Sequence, residues 1–484
     1  MGGSLPTVGI IGGGASGALT AIHILAQTST EPIHLVLVER GGAIGEGVAF
    51  STDSYRHLLN VQAHYMSALE ADPDHFVRWL EGNASDCGRD SFAPRRLYGR
   101  YLTETLHRQV NLQGRQDVFQ TIRDQVVDID VGPGPQLVLA GGGKVGADAV
   151  VLATGLVAPK VPQYMTRVAA GPRFISDPWA GAALSGIDSD ATVTLIGSGL
   201  TAIDVLLSLE ELGHRGPIHA VSRHGLVPHA HRPLVEQDTE VTVCAHGNGA
   251  SARRLLHEVR GLVAETESRG GDWRQIVDGL RPLTATLWRS LSEEERRRFR
   301  RHLERYWSVH RHRMAPEVAN TVDRLTRSGL FRIHAGRLVT VDEISSPPAY
   351  RIGVRLRANG ALESWLSGWV INCSGPDPNV FTDPRNLLSR LGDRRLARPG
   401  PLGLGVATDV DGRLLGCSGR PVEWLWTLGS LRQGDQLEST AVPEIRQQAC
   451  AIATEVRRFV SRCRRVQQGG KEGMPTVRRG EAGP

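Results

Sequence analysis

Nowhere does the chain approach the about eighteen consecutive apolar residues that a membrane-spanning helix needs. The segment MGGSLPTVGIIGGG has no basic n-region, and its short apolar run breaks at glycines, so no secretory signal is expected. Cysteine is scarce. Cys87, Cys244, Cys373, Cys417, Cys450 and Cys463 form no CxxC pair and no zinc-like spacing, which argues against a metal centre or a disulfide framework. An excess of one charge is missing too: 56 Lys and Arg against 51 Asp and Glu leave only +5, too little to imply nucleic acid or a membrane surface as partner. Aromatics stand at 5%. These absences lead to the expectation of a soluble, reduced, cytoplasmic protein without a metal.

What is present is ordinary globular material, 40% hydrophobic and 22% charged, in a chain of 484 residues that can form two or three domains. Glycine is in surplus at 56 residues, as expected where backbone must approach a ligand closely. In TVGIIGGGASGALTAIHILA, residues 8–11 read as a buried strand. Gly12, Gly13, Gly14, Ala15, Ser16 and Gly17 then form a GxGxxG turn that opens a helix. The first glycine permits the turn, the second lets backbone near a pyrophosphate, and the third lets helix and strand pack. Free N–H groups at the helix start would face the phosphates. A second buried strand, HLVLVE, ends at Glu39-Arg40, where an acid would accept from the ribose hydroxyls of an adenosine.

The pattern recurs. In ATVTLIGSGLTAIDVLLSLEELG, residues 193–196 read as a strand, and Gly197, Ser198, Gly199, Leu200, Thr201 and Ala202 as a GxGxxA turn opening a helix over 203–212. The next strand, IHAVS, ends at Ser222-Arg223 with no acid. A carboxylate there would repel a 2′-phosphate, whereas Arg223 can pair with it, which favours NADPH over NADH. Arg223 as a solvated strand-end residue is the alternative. An acid-tipped first turn and an arginine-tipped second turn predict FAD and NADPH as the two cofactors.

The predicted fold class is therefore α/β, with two Rossmann-type dinucleotide-binding domains, the second inserted into the first. Residues 1–165 and 372–465 would form the FAD domain, 166–371 the NADPH domain with a helical insertion at about 250–328, and 466–484 a disordered tail. Strands ending at Ala153-Thr154-Gly155 and Cys373-Ser374-Gly375 would lead the chain into and out of the inserted domain. Residues 131–151 and 350–372 read as β-hairpins, and residues 440–460 as a last amphipathic helix. The run SEEERRRFRRHLERYW reads as a solvated helix face with i,i+4 pairs.

On GGGASG, GEGVAFST, HLLNV, RRLYGRYL, ATG, GSGLTAIDVLLSL, VSRHGLVPHAH, HRHRMAP and LGSLRQGDQLESTAVPEIR, the chain resembles the two-dinucleotide flavoproteins over about residues 8–455. Within them it is similar to a bacterial FAD/NAD(P)-binding group. It resembles more distantly the class B flavin monooxygenases, which include amine and amino-acid N-hydroxylases and Baeyer–Villiger enzymes. Baeyer–Villiger enzymes carry an FxGxxxHxxxW-type fingerprint. Here Phe174-Ile175-Ser176-Asp177-Pro178-Trp179 lacks the histidine, which argues against that branch.

The resemblance implies an FAD-dependent, NADPH-using monooxygenase that hydroxylates a small polar nucleophile through oxygen added at flavin C4a. Its partners would be the substrate and O2, and exposed helices would suit a homodimer. Two alternatives stay open: a flavin oxidase or dehydrogenase with a vestigial NADPH site, and a non-catalytic flavin sensor. Gly45 and Gly47 would run along the pyrophosphate, and Asn60 would bond the flavin ring or cap a local turn. Gly434 and Asp435 are read as preceding a helix that holds Ser439, with Asp435 on a ribityl hydroxyl or capping that helix. His229 and His231 would face nicotinamide. Arg311 and Arg313, between His310 and His312, would clamp a substrate carboxylate, or else form a cationic helix end. Trp273, Arg281, Trp288 and Trp307 pose the same choice between pocket and core, as do Arg96, Tyr98 and Arg100.

Overall fold

The computed structural model describes residues 5–27, 32–112, 118–161, 165, 168–232, 241–243 and 250–469. Cys244 and residues 470–484 lie outside the described residues. The runs TVGII and HLVLVE are apolar at nearly every position because each strand is covered on both faces. Val8, Ile10, Leu35 and Leu37 enter a core shared with the Ala15–Ala26 helix, while Ile11, Val36 and Val38 enter a second core on the opposite side. Alternation of side chains along a strand divides them in this way.

Six strands follow in the order Arg413–Leu415, Pro421–Thr427, Ala149–Leu152, Thr7–Ile11, His34–Glu39 and Phe119–Arg123. Every neighbouring pair is parallel except the first. A second sheet runs Leu362–Ser367, Pro348–Leu356, Phe331–Ser345, Ile218–Ser222, Val193–Ile196, Trp369–Asn372 and Phe174–Ile175. It is parallel from Phe331–Ser345 onward and antiparallel in the two hairpins before it. The first sheet thus takes strands from both sides of the segment that builds the second.

Between Ile218–Ser222 and Phe331–Ser345 the chain forms six α-helices among the described residues, from Ala252–Ser268 to Pro316–Arg327. Their starts are written locally. Ser251 accepts from the Arg254 N–H, Asp272 and Gln275 make a reciprocal capping box, and Ser292 accepts from the Glu295 N–H. The Glu293–His302 helix has three glutamates in its first turn and Arg300, Arg301 and His302 in its last, matching its dipole. Pairs such as Arg298–Glu294 at 2.6 Å place part of this arginine run on a solvated face. No helix among the described residues is long and apolar enough to cross a membrane.

The last helix departs from expectation at both ends. It spans Val442–Gly469, so residues 466–469 extend a helix where a disordered tail is expected. Between Pro443 and Gly469 there is no glycine or proline to stop it. At its start, Glu438 and Ser439 lie in the preceding loop, and Pro443 is tolerated because the first turn's N–H groups have no helical partner anyway. Asp435 therefore does not cap this helix. Its carboxylate instead accepts from the N–H and hydroxyl of Thr408 at 2.9 and 3.0 Å.

The two sheet-bearing units meet through Asp204, a buried residue of the Leu200–Glu211 helix. Arg95 Nη2 donates to its carboxylate at 2.5 Å, and His57 Nε2 lies 3.0 Å from its carbonyl oxygen. A carboxylate so nearly removed from water needs that guanidinium, so the contact sets how the units face one another.

Candidate functional site

The two glycine turns are built alike, bond for bond. The Gly12 N–H donates to the Val38 carbonyl and the Gly197 N–H to the Val221 carbonyl, both at 2.9 Å. Their φ angles are +102° and +115°, so each needs the left-handed freedom of glycine. A Cβ on Gly12 would fall 2.5 Å from the Ala153 carbonyl oxygen, and one on Gly197 2.6 Å from that of Cys373. Ala153-Thr154-Gly155 and Cys373-Ser374-Gly375 thus occupy equivalent places beside the two turns. Both following helices begin at a glycine, Gly14 or Gly199, with no side chain capping them. Their N-terminal N–H groups, equivalent to about half a positive charge, are left for an anion.

The tips differ as the sequence implies. Glu39 is gripped by backbone, its two oxygens accepting from the N–H groups of Gly13 at 2.6 Å and Gly41 at 3.0 Å. Arg40 is exposed beside it, Thr154 is exposed next to Gly12, and the Gly45 N–H donates to the Gly13 carbonyl at 2.7 Å. Gly47 packs against Gly14, leaving room above the helix start. At the second turn, Ser198 donates to the Leu226 carbonyl at 2.6 Å and lies 2.8 Å from the Ser222 hydroxyl. Thr201 is half-buried and Arg223 exposed at the strand tip.

Loops from the two sheet-bearing units, around Asn60 and His231, meet the insertion at one junction. His231 Nε2 lies 3.1 Å from the Asn60 carbonyl oxygen. Burial, with the Arg313 charge nearby, pushes the His231 pKa down to about 4, so at neutral pH it is an uncharged hydrogen-bond partner. Residues 229–231 are strapped to the insertion: the His229 N–H donates to Val309, the His231 N–H to Met314, and the Met314 N–H to His229. Arg274 donates to the Ala230 carbonyl through Nε and Nη2 at 3.0 and 2.8 Å, with its guanidinium 4.3 Å from the Trp273 ring centroid. Arg313 is 2% exposed. One of its nitrogens donates to Asp278 at 2.5 Å, while Nε and Nη1 have no partner. A buried guanidinium with unmade bonds is uncommon, and it points to a ligand or ordered water.

A second charged cluster locks the insertion to the start of the last helix and the loop before it. Arg281 donates to both oxygens of Glu444, at 2.5 and 2.8 Å. The Trp307 indole donates to Glu438 at 2.7 Å, and the Trp288 indole to the Gly434 carbonyl at 2.9 Å. Arg311 lies 3.8 Å from Glu438 and 3.6 Å from Glu444, beyond hydrogen-bond reach, and its Nε and Nη2 are also unpartnered. Ser439 Oγ, fully buried beside them, has no partner either.

The structure therefore brings Asn60 and Arg313 to one junction and puts Arg311 and Ser439 in the neighbouring cluster. Trp288 and Trp307 serve as docking residues, and Arg281 as an ion-pair partner. Gly434 and Asp435, which the sequence places near the flavin of the first turn, pack against Leu404 and Thr408. The glycine that does reach that turn is Gly429, at the end of Pro421–Thr427, where a Cβ would lie 2.9 Å from Ser16 Oγ. Its position after an apolar strand and the family-like segment LGSLRQGDQLESTAVPEIR signal it; LGS matches no dinucleotide motif.

Residues 9–157 match the family model described as FAD-NAD(P)-binding. No curated protein matches the sequence. Among solved structures, the Kutzneria sp. 744 ornithine N-hydroxylase with reduced FAD, NADP+ and L-ornithine is similar at TM-score 0.63 and 16% identity, over 94% of this chain and 99% of that one. The L-lysine 6-monooxygenase of Pseudomonas syringae gives 0.62 and 15%, over 94% and 100%. The bacillithiol disulfide reductase of Bacillus cereus gives 0.53 and 13%, over 95% and 100%. Identities this low establish a shared fold and nothing beyond it.

Proposed function

We propose that the protein is an FAD-dependent, NADPH-using oxidoreductase that hydroxylates a small polar nucleophile, an amine or amino acid, with molecular oxygen. The observation that carries this reading is the convergence of loops from both sheet-bearing units on the junction of Asn60, His231 and the partly unpartnered Arg313. FAD fits the first turn: its pyrophosphate belongs over Gly12–Gly17 and Gly47, in the room beside Gly14, with its ribose on Glu39 and Arg40. Gly45, Thr154, Gly155 and Gly429 border the same space. NADPH is assigned to Gly197, Ser198, Gly199, Thr201, Ser222 and Arg223, with Gly375 alongside.

A bound flavin supplies two-electron transfer and reactivity toward oxygen; the chain's part is binding, orientation and electrostatics. Asn60 presents a neutral amide to the ring. Buried Arg313, with Arg311 behind it, offers unused N–H groups to the carboxylate of an amino-acid substrate. Uncharged His231 adds no proton of its own at neutral pH. Likeness to enzymes of ornithine and lysine supports that substrate class.

Anaerobic titration of the purified protein with NADPH is expected to bleach the oxidised-flavin absorbance stoichiometrically. Admitting air with an amine or amino acid present should then yield a product one oxygen heavier by mass spectrometry. Bleaching by substrate and not by NADPH would replace this reading with that of an oxidase or dehydrogenase.

A further inference from the structure

A cavity of about 970 Å³ opens where three parts of the chain meet: the tip of the Ile218–Ser222 strand, the Glu293–His302 and Glu304–Arg311 helices of the insertion, and residues 398–403. Its walls are dominated by arginine. The acids that share them are Glu293, Glu304 and Asp435. Each is engaged: Glu293 pairs with Arg297, Glu304 lies 3.5 Å from Arg300, and Asp435 accepts from Thr408. Arg223, Arg301, Arg305 and Arg398 line the same space with no acidic partner among the described residues. Like charges gathered in this way repel one another, and an anion between them removes that cost.

Position says which anion. Arg223 stands at the tip of the strand after the second glycine turn, where a dinucleotide places its adenosine ribose. His224, next in the chain, accepts at Nδ1 from Arg357 at 2.6 Å and packs its ring 5.8 Å from Tyr306, the neighbour of Arg305. Desolvation and the charges of Arg357, Arg223 and Arg305 lower the pKa of His224. We infer that Arg301 and Arg305, carried by the insertion, complete with Arg223 the seat of the coenzyme's 2′-phosphate, so that the insertion itself distinguishes NADPH from NADH. This rests on the reading of the second turn as the NADPH site. A 2′-phosphate offers several acceptor oxygens, enough for guanidiniums arriving from two sides.

The test is calorimetric titration of the flavin-loaded protein with NADP+ and with NAD+. Arg301→Ala/Arg305→Ala is expected to weaken NADP+ about tenfold to a hundredfold, the scale of one or two charge-assisted hydrogen bonds, and to leave NAD+ unchanged. The lysine pair, Arg301→Lys/Arg305→Lys, should recover part of the loss. Arg327→Ala, which removes one exposed positive charge elsewhere on the insertion, should change neither ligand. The inference is overturned if the alanine pair binds NADP+ like wild type while Arg223→Ala loses it; the coenzyme reading then stands without the insertion. Equal weakening of NADP+ and NAD+ overturns it as well, because that marks general disruption. If wild type does not prefer NADP+ and Arg223→Ala changes nothing, the coenzyme assignment fails and this inference goes with it.

Discussion

Replacing Glu444 by alanine is expected to destabilise the protein by about 3 kcal/mol and to loosen the helical insertion from the start of the last helix. The magnitude is the low end of the cost of stripping one partner from a buried ion pair, because 22% of the Arg281 side chain still reaches solvent. Without Glu444, Arg281 loses both hydrogen bonds, and Arg311 loses one of its two nearby carboxylates. Limited proteolysis should then cut within residues 250–328 well before it does in wild type. Unchanged melting and unchanged cleavage would show that the insertion is held by its apolar contacts alone.

The same pair predicts a pH dependence. Burial by itself would raise the Glu444 carboxyl, but hydrogen bonds and charge from Arg281, with Arg311 further off, hold it below the usual carboxylate range. Its stabilising contribution is therefore present above the unfolded value of about 4.3 and is lost as pH falls through the lower folded value. Thermal melts taken on descending pH below about 4.3 should show a steeper fall in wild type than in Glu444→Gln, which has no carboxyl to protonate. Parallel slopes would remove Glu444 from the acid response.

Gly14→Ala and Gly17→Ala are expected to fail in opposite ways. A Cβ on Gly17 would sit 1.9 Å from the Gly12 carbonyl oxygen, which is backbone and cannot swing aside. The Ala15–Ala26 helix would have to leave the sheet, so this variant should misfold or aggregate. A Cβ on Gly14 meets only Gly47 Cα at 3.5 Å, an ordinary contact, and φ there is −65°, open to alanine. Gly14→Ala should therefore keep wild-type circular dichroism and lose flavin, with the bound fraction falling about tenfold or more, because the added methyl occupies the line of approach to the helix N–H groups. The flavin-to-protein absorbance ratio after gel filtration reads both outcomes. Full flavin in Gly14→Ala would mean that the pyrophosphate does not pass over this glycine.

How much of the site is legible from sequence depends on the range of the forces involved. The turns at Gly12 and Gly197 can be read directly, since a strand, a left-handed glycine and an uncapped helix start impose steric demands within a few neighbouring residues. Glu39 and Arg223 follow from strand length alone. The helix starts at Ser251, Asp272 and Ser292 are equally local, and so is the i,i+4 pairing in the arginine run. Gly429 is different. It reaches Ser16 only because Pro421–Thr427 pairs beside Ala149–Leu152, a decision of sheet order. Asp435 accepts from Thr408, a pairing that no motif announces.

The same limit covers the charged residues. Arg95 with Asp204, Arg281 with Glu444, and Arg301 and Arg305 beside Arg223 are joined across long stretches of chain with no motif to announce them. As a sequence, SEEERRRFRRHLERYW is a solvated helix face; in the fold, the chain breaks helix at Leu303 and part of that run lines a cavity shared with the second strand tip. The sequence by itself determined the two dinucleotide turns and their opposite tips, because backbone sterics act between near neighbours. Tertiary structure alone decided which arginines are buried, paired or free, because desolvation and Coulomb attraction depend on where packing brings distant residues.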